Sequence, residues 1–275
     1  MTATRPVSIA VAPNGGRKTH ADHPALPMTA AELARVAGLC REAGASMIHV
    51  HVRDGEGGHL LDADAYRTAI GAIRKAVGDG LVIQITSESL GAYTPAQQMQ
   101  VVREVRPESV SLALRELLPG AHGEAEFSAF LHWLRQENIA PQFILYSPHE
   151  AVQLASLQVR GVVPFERLSV LYVLGRYTAG QTSDPGDLLP FLGDVVPRFA
   201  HWSTCAFGGR EAACVLAGAL LGGNIRVGFE NNLLMPDGRI ARGNEELVGV
   251  ARESLARLGF SAATADQLRA DWQLK

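Results

Sequence analysis

The feature that most constrains the fold is the regular alternation of short apolar runs with longer segments of helical periodicity. Eight strand–helix pairs fill the 275 residues, the number and chain length typical of a (β/α)8 barrel. The predicted strands are 7–12, 46–52, 81–86, 109–113, 142–146, 168–173, 201–205 and 225–229. The predicted helices are 30–43, 63–77, 95–105, 124–137, 150–159, 187–196, 210–221 and 245–258.

No Pro/Ser-rich linker or run of like charge divides the chain, so we predict a single α/β domain, a TIM barrel, over residues 1–275. The rival fold is a doubly wound open sheet, which would need a glycine-rich dinucleotide loop after an early strand. The turn after the first predicted strand reads Pro-Asn-Gly-Gly at 13–16, and the sequence contains no G-x-G-x-x-G or phosphate-binding G-x-x-x-x-G-K-[ST] loop. The barrel is therefore the favoured fold.

Composition narrows the range of partners and compartments. The formal net charge is −3 and the pI is about 6.3, so there is no electrostatic reason to expect nucleic acid or an anionic membrane as a partner. No apolar run approaches the ~18–20 residues that cross a bilayer, and the N-terminus lacks the pattern of a signal peptide. Three cysteines without a C-x-x-C pair favour reduced thiols. We therefore expect a soluble cytoplasmic protein.

Two histidines alternate with aliphatic residues in the second predicted strand, in the run IHVHV at 48–52. Residues two apart in a strand face the same side, so His49 and His51 point together while the aliphatic residues face the covering helices. Two imidazoles near the carboxyl end of a barrel strand, where such enzymes place reactive groups, can meet on one metal ion. The competing interpretation is that each histidine is a hydrogen-bonded core or surface residue.

The eighth predicted strand carries Arg226 and, at its carboxyl end, Glu230. Side chains in one barrel layer come from alternate strands, so strands two and eight can contribute to the same layer. Glu230 can then complete a set of two histidines and one glutamate with open coordination positions, the arrangement of a catalytic zinc site. The alternative is a surface acid paired with Arg226, although an arginine directed into a barrel also suits an anionic substrate.

Three segments, APNGGRKTHADHPALPMTAAEL, REAGASMIHVHVRDGEGGHL and GGNIRVGFENN, in this order and spacing, resemble the β-keto acid cleavage enzyme family. Members of that family are zinc-dependent TIM barrels, commonly homotetramers, that exchange a β-keto acid with acetyl-CoA to give acetoacetate and a new acyl-CoA. The resemblance implies that His49, His51 and Glu230 bind Zn²⁺ and that Arg226 is catalytic. It also implies a small-molecule β-keto acid and acetyl-CoA as partners.

Two departures from the family pattern concern the catalytic base. This chain has Asn231 where the resemblance implies an Asp that works with Arg226 to take the substrate α-proton. An amide can orient a water or hold the arginine, but it cannot accept a proton as a carboxylate does. The third strand ends in Thr-Ser-Glu-Ser at 86–89, where the family tends to Ser/Thr followed by glycines. Glu88 is therefore predicted as a replacement base and Glu116 as another candidate, with a solvated loop carboxylate as the competing interpretation of each.

The resulting hypothesis is a retro-Claisen enzyme in which Arg226, Asn231 and Glu88 are catalytic. The residues predicted to bind substrate are Asn14, Gly15, Ser87 and Glu116.

Two alternatives remain open: a metal-dependent hydrolase of the amidohydrolase type and a non-catalytic metal- or acid-binding barrel. The hydrolase would need further histidine ligands after strands five and six and an Asp on strand eight. Of the other histidines, His149 and His201 could enter the site, whereas His20, His23 and His59 are expected to face solvent. Cys205 is expected to be a packed structural residue.

Overall fold

Eight parallel strands hydrogen-bond into a closed barrel, so the predicted (β/α)8 fold is confirmed. The computed structural model describes residues 5–120 and 122–274. In chain order the strands are β1 (Ile9–Val11), β2 (Met47–Val50), β3 (Val52–Arg53), β4 (His59–Leu60), β5 (Val82–Thr86), β6 (Ser109–Ala113), β7 (Ala140–Leu145), β8 (Ser169–Leu174), β9 (His201–Ala206) and β10 (Asn224–Val227). Around the barrel the order is β1-β10-β9-β8-β7-β6-β5-β2, so β1 closes the ring between the first and last units.

Helices cover the outside of the barrel, and α1 and α3 begin directly after the threonines that the sequence marks as caps. The helices are α1 (Ala30–Ala43), α2 (Ala63–Val77), α3 (Pro95–Val105), α4 (Leu114–Leu117), α5 (Glu124–Gln136), α6 (Pro148–Val159), α7 (Glu211–Leu220), α8 (Asn244–Arg257) and α9 (Ala265–Trp272). Thr29 caps α1 through a reciprocal pair of hydrogen bonds with Glu32, and Thr94 caps α3 in the same way with Gln97. Short polar side chains thus satisfy the free amides at these helix starts.

The α-helix predicted at 187–196 is wrong, because the chain between β8 and β9 forms two 3-10 helices, Ala179–Gln181 and Pro185–Leu192. Pro190 lies inside the second of them and has no amide hydrogen to donate. Its ring also excludes the α-helical path of the preceding turn, so the segment stays a short 3-10 helix.

The second predicted strand is also shorter than expected. β2 ends at Val50, and the chain continues into β3, which pairs antiparallel with β4. The Asp54 side chain accepts hydrogen bonds from the amides of Glu56 and Gly58 at 2.9 and 2.7 Å and so closes the turn between these two strands. This excursion carries His59 back over the barrel mouth, where its ring centroid lies 5.5 Å from that of His51.

The apolar core lies between the strands and the helices, whereas part of the barrel interior is polar. Ile48 and Val50 face outward and are fully buried in the core, as the alternation of β2 predicts. Inside the barrel, the Gln84 amide on β5 donates to Gln142 Oε1 on β7 at 3.3 Å and to Ser109 Oγ on β6 at 3.2 Å. These bonds fix the orientation of the Gln84 amide beneath the residues of β2.

No helix of the described chain combines the length and apolar character that a membrane crossing requires.

The backbone after β10 packs closely against the backbone after β1, and substitution of Gly228 tests this contact. Its φ is +137°, and a Cβ there would lie 2.8 Å from the carbonyl carbon of Ala12. We expect Gly228→Ala to lower the free energy of unfolding by roughly 2–5 kcal/mol, from backbone strain plus overpacking. Gly222→Ala is the matched control, since its φ is +100° but a Cβ meets open space, so it should cost only about 1–2 kcal/mol. Urea titrations of both variants measure the difference, and equal losses would contradict the close approach.

Candidate metal centre and active site

Three side chains converge at the carboxyl ends of the barrel strands. His49 lies on β2, His51 directly follows it, and Glu230 lies in the turn after β10. The Glu230 amide donates to the Ala12 carbonyl at 3.1 Å. The Nε2 atoms of His49 and His51 are 3.2 Å apart, and Glu230 Oε2 lies 3.7 and 3.5 Å from them. The geometry therefore brings together the three residues predicted as metal ligands.

The spacing of these three atoms suits a single divalent ion. In a tetrahedral site with ligand distances of about 2.0–2.1 Å, neighbouring donor atoms are about 3.3–3.4 Å apart. The three observed separations bracket that value. Glu230 Oε2 is buried and accepts no hydrogen bond from any described residue, so its lone pairs face the two nitrogens unused.

Gln84 sets the orientation of the first histidine. Since the Gln84 amide nitrogen donates to Gln142 and Ser109, its Oε1 faces His49 Nδ1 at 2.8 Å. His49 then carries its proton on Nδ1 and leaves the Nε2 lone pair toward the cluster, the form that binds metals. Burial and the Arg226 charge lower the pKa of His49 well below its usual value and keep this ring neutral.

Arg226 supplies the charge that keeps Glu230 ionised. Its guanidinium contacts Glu230 Oε1 at 2.5 Å, and both its burial and its place on β10 put it at the floor of the site. Burial alone would raise the pKa of Glu230, but the positive charge of the adjacent Arg226 guanidinium outweighs it, so the pKa lies well below the usual value. One carboxylate oxygen is thus held by arginine while the other faces the histidines.

The loop after β1 packs directly against the cluster. A Cβ at Gly15 would lie 2.5 Å from Cγ of Glu230, so only glycine leaves room for that side chain. Asn14 is fully buried and donates to the carbonyls of Pro27 and His51 at 3.0 and 2.9 Å, which ties the loop to the end of β2. Arg53 donates to the Gly15 carbonyl at 2.5 Å and holds the loop from the other side. Gly15 and Asn14 therefore shape the site around Glu230.

The loop after β5 places one carboxylate in the cavity and turns other predicted residues away from it. Glu88 lines the cavity, and burial raises its pKa above the ordinary value. Ser87 is buried and donates to the Ser111 carbonyl at 2.8 Å. Glu116 accepts hydrogen bonds from the Ser89 amide and the Gln98 side chain, at 2.8 and 2.9 Å, and so braces the loop.

Asn231 is buried beside the cluster, and its carbonyl accepts from the Gly208 amide at 3.2 Å. Both polar atoms of its side-chain amide lack a hydrogen-bond partner among the residues that the structure describes. The Asn231 side-chain amide therefore makes no hydrogen bond to Arg226 or to the two histidines.

The cavity lined by His49, His51 and Glu230 is narrow, with a volume of about 20 Å³. An adjoining chamber of about 90 Å³ opens toward the loop after β1. The two share Glu88, Arg176, Phe207 and Glu230 as walls. Lys18 and Arg176 were missed from the sequence. Arg176 lies just after β8, so inspection of every strand's carboxyl end would have found it.

Several of the other histidines lie at positions that differ from those expected from the sequence. His149 is exposed on α6 and His201 begins β9 at the opposite end of the barrel, so neither joins the cluster. The expectation that His23 and His59 face solvent is wrong. His23 is buried against the Ala241 carbonyl at 2.8 Å, and His59 contacts the Glu88 carbonyl at 2.6 Å. The further histidine ligand that a hydrolase of the amidohydrolase type needs is therefore missing from the cluster within the described residues.

Cys205 is buried in the cavity wall, where burial raises the pKa of its thiol to about 12. A thiol of that pKa stays protonated near neutral pH and is a poor nucleophile. This agrees with the structural role expected for Cys205.

Residues 6–274 match the sequence model of the family described as "BKACE: beta-keto acid cleavage enzyme". The chain belongs to the β-keto acid cleavage enzyme family. The family predicted from the three sequence segments is thereby confirmed, as is the prediction that the chain is an acyltransferase that cleaves carbon–carbon bonds.

Named relatives cover nearly the whole chain. The 3-keto-5-aminohexanoate cleavage enzyme of Fusobacterium nucleatum is 28% identical over 266 residues, 95% of each protein. The 3-oxoadipate:acetyl-CoA acetyltransferase of Cupriavidus necator is 24% identical over 97% of this chain and 94% of its own. Among solved structures, apo ObcA superposes with a TM-score of 0.69 at 18% identity, covering 91% of this chain and 66% of the longer ObcA chain. That structural likeness supports the barrel fold.

Metal binding tests the convergence of the three side chains directly. We expect the wild-type chain to bind zinc stoichiometrically, and His49→Ala and Glu230→Gln each to lose that binding because a donor atom is removed. Gln84→Leu should weaken zinc binding about 10–100-fold, since the His49 ring loses its orienting partner. Calorimetric titration measures all three. His201→Ala is the control, a buried histidine at the other end of the barrel, and equal loss in that variant would contradict the assignment.

Proposed function

We propose that the chain is a zinc-dependent β-keto acid cleavage enzyme that converts a β-keto acid and acetyl-CoA to acetoacetate and a new acyl-CoA. The observation that carries the proposal is the convergence of His49, His51 and Glu230 beside Arg226 at the reactive end of the barrel. Relatives named as acetyl-CoA transferases of keto acids support the same reaction class. On the family resemblance we also propose a cytoplasmic homotetramer.

The donor set favours zinc among divalent ions, because it combines two imidazole nitrogens with one carboxylate oxygen. When bound, the ion supplies Lewis-acid stabilisation of the negative charge that develops on the keto oxygen of the substrate. Gln84 and Arg226 hold the donor atoms in place, one through His49 and the other through Glu230.

Glu88 is the proposed base. Its carboxylate lines the cavity with the histidine pair, and a carboxylate whose pKa is raised by burial is a stronger proton acceptor. The Asn231 amide, which stands where the family has an Asp, cannot take this role. Glu116 is engaged by the Ser89 amide and Gln98, which supports a bracing role for it.

In the proposed reaction Glu88 removes a proton from the α-carbon of the keto acid. That carbon bonds to the carbonyl carbon of acetyl-CoA and displaces the CoA thiolate. The thiolate then attacks the original keto carbon, the bond from this carbon to the α-carbon breaks, and the acyl group remains on CoA. The α-carbon takes back the proton from Glu88 as acetoacetate leaves. Arg226, whose Nε donates to no described residue, stabilises the oxyanions formed at each attack.

The remaining predicted residues support this chemistry through position. Asn14 and Gly15 fix the loop that packs on Glu230, and Ser87 fixes the loop that carries Glu88. These contacts favour positioning over the direct substrate contact expected from the sequence. The buried Asn231 amide has no hydrogen-bond partner among the described residues, which suits holding a water near the reacting atoms.

Turnover tests the reaction class. Zinc-loaded protein incubated with acetyl-CoA and a panel of β-keto acids should produce acetoacetate and the matching acyl-CoA, and a chelator should abolish both. Chromatography of the CoA esters measures the products. Consumption of a keto acid without acetyl-CoA would contradict the proposal and favour a hydrolase, and an absence of turnover across the panel would favour a non-catalytic barrel.

Replacing Glu88 tests the base. We expect Glu88→Gln to lower kcat by about 10²–10⁴-fold, the range for a lost general base. It should also abolish deuterium exchange at the α-carbon of the keto acid in D₂O, followed by NMR. Glu108→Gln is the matched control, with 15% side-chain exposure against 16% for Glu88 and a place at the opposite end of the barrel. Retained α-exchange in Glu88→Gln would exclude Glu88 as the base.

A further inference from the structure

Arg176 carries hydrogen-bond donors for which the described residues supply no acceptor. The residue follows β8, and its side chain is only 12% exposed. It lines both the narrow cavity beside the histidine pair and the adjoining chamber. Its partner of opposite charge is Glu88, but the closest approach is 3.8 Å, too long for a hydrogen bond.

Two other largely buried arginines each donate a hydrogen bond to a carboxylate. Arg226 contacts Glu230 at 2.5 Å, and Arg269, with 14% side-chain exposure, donates from Nε to Glu108 at 2.6 Å. The Arg176 side chain, by contrast, donates no hydrogen bond to any residue in 5–120 and 122–274. A largely buried guanidinium with no acceptor among these residues leaves its five donors to water or to a ligand that enters the cavity.

The surroundings of Arg176 favour an anionic ligand. Its guanidinium carbon lies 5.2 Å from the centroid of the Phe207 ring, which holds the group at the cavity wall. Lys18 lines the same chamber and donates to the Glu230 carbonyl at 2.8 Å. Because the Glu230 carboxylate is already paired with Arg226, the chamber retains an excess of positive charge.

We propose that Arg176 binds a carboxylate of the β-keto acid and so determines which acids the enzyme accepts. The inference rests on the proposed function for the identity of the ligand. The guanidinium fork matches a carboxylate with two parallel hydrogen bonds, which the 3.8 Å contact with Glu88 does not provide. Exchange of the Glu88 contact for the substrate carboxylate leaves Glu88 free to act as the base.

A matched pair of substrates identifies which carboxylate is bound. 3-Oxohexanoate and 3-oxoadipate have the same chain length and differ in whether the far end is a methyl group or a second carboxylate. We expect Arg176→Met to raise KM by about 10–100-fold for 3-oxoadipate, the range for charge-assisted hydrogen bonds. Arg176→Lys should restore part of the loss, since it keeps the charge without the fork.

The change in KM for each of the two acids shows which carboxylate Arg176 binds. A rise for both acids assigns Arg176 to the carboxylate that every β-keto acid carries, and a rise for 3-oxoadipate alone assigns it to the second carboxylate. An unchanged KM for both acids overturns the proposal. Arg269→Met is the control of similar burial, which should lose thermal stability through loss of the Glu108 contact and leave KM unchanged.

Binding of an inert diacid separates this proposal from the reaction class. Adipate has no keto group and cannot react, and we expect zinc-loaded wild type to bind it about 10–100-fold more tightly than Arg176→Met. This difference in a wild type without turnover would support Arg176 while overturning the proposed function. Turnover in the wild type with equal adipate affinity and equal KM in both proteins would do the reverse. Circular dichroism confirms that the variants are folded.

Discussion

The Glu230 carboxylate, divided between Arg226 and the histidine pair, is the interaction on which the site depends. A buried carboxylate is unfavourable unless neighbouring charges and donors compensate it. Here Oε1 is held by Arg226 at 2.5 Å, and Oε2 faces His51 and His49 at 3.5 and 3.7 Å. The two oxygens therefore have separate roles, one that fixes the side chain and one that remains available to a cation.

Barrel closure is what delivers Glu230 to that position. β10 pairs with β1, and β1 pairs with β2, so the carboxyl ends of the first and last units meet. Gly228 lies close to the Ala12 backbone, and two residues later the Glu230 amide donates to the Ala12 carbonyl at 3.1 Å. Gly15 then leaves the space that the Glu230 side chain occupies. The end of the site that carries the histidine pair and Glu230 is thus built from tightly packed backbone.

The opposite wall of the cavity is held less tightly. Glu88 and Arg176 approach each other at 3.8 Å without a hydrogen bond, although both side chains are largely buried. Residues with such loose contacts can change partners at low cost when a ligand enters. A closely packed histidine–glutamate cluster opposite a loosely paired Glu88 and Arg176 agrees with the proposal that Arg176 binds the acid while the cluster stays in place.

Much of this arrangement could be predicted from the sequence, because it follows from periodicity. The alternation of strands and helices predicted the barrel, and the period of two along β2 predicted that His49 and His51 share a face. The rule that alternate barrel strands contribute side chains to the same layer added Glu230 to the two histidines.

Loop residues could not be predicted in the same way, since loops carry no repeating pattern. The β3–β4 pair returns His59 to the site, and the 3-10 segment around Pro190 replaces an α-helix. Arg176 and Lys18 reach the cavity from loops whose path depends on contacts with distant segments. Asn14 was recognised as part of the site, but its hydrogen bonds to the backbone appear only in three dimensions.

X-ray absorption spectroscopy at the zinc edge tests the central claim most directly. Zinc-loaded protein should show only nitrogen and oxygen neighbours at about 2.0–2.1 Å, with the multiple-scattering pattern of two imidazole rings. Glu230→Gln protein loaded in the same way should show little zinc absorption, because it has lost one donor atom. A sulfur neighbour at about 2.3 Å, which the buried Cys205 would supply, or fewer than two imidazoles, would contradict the account.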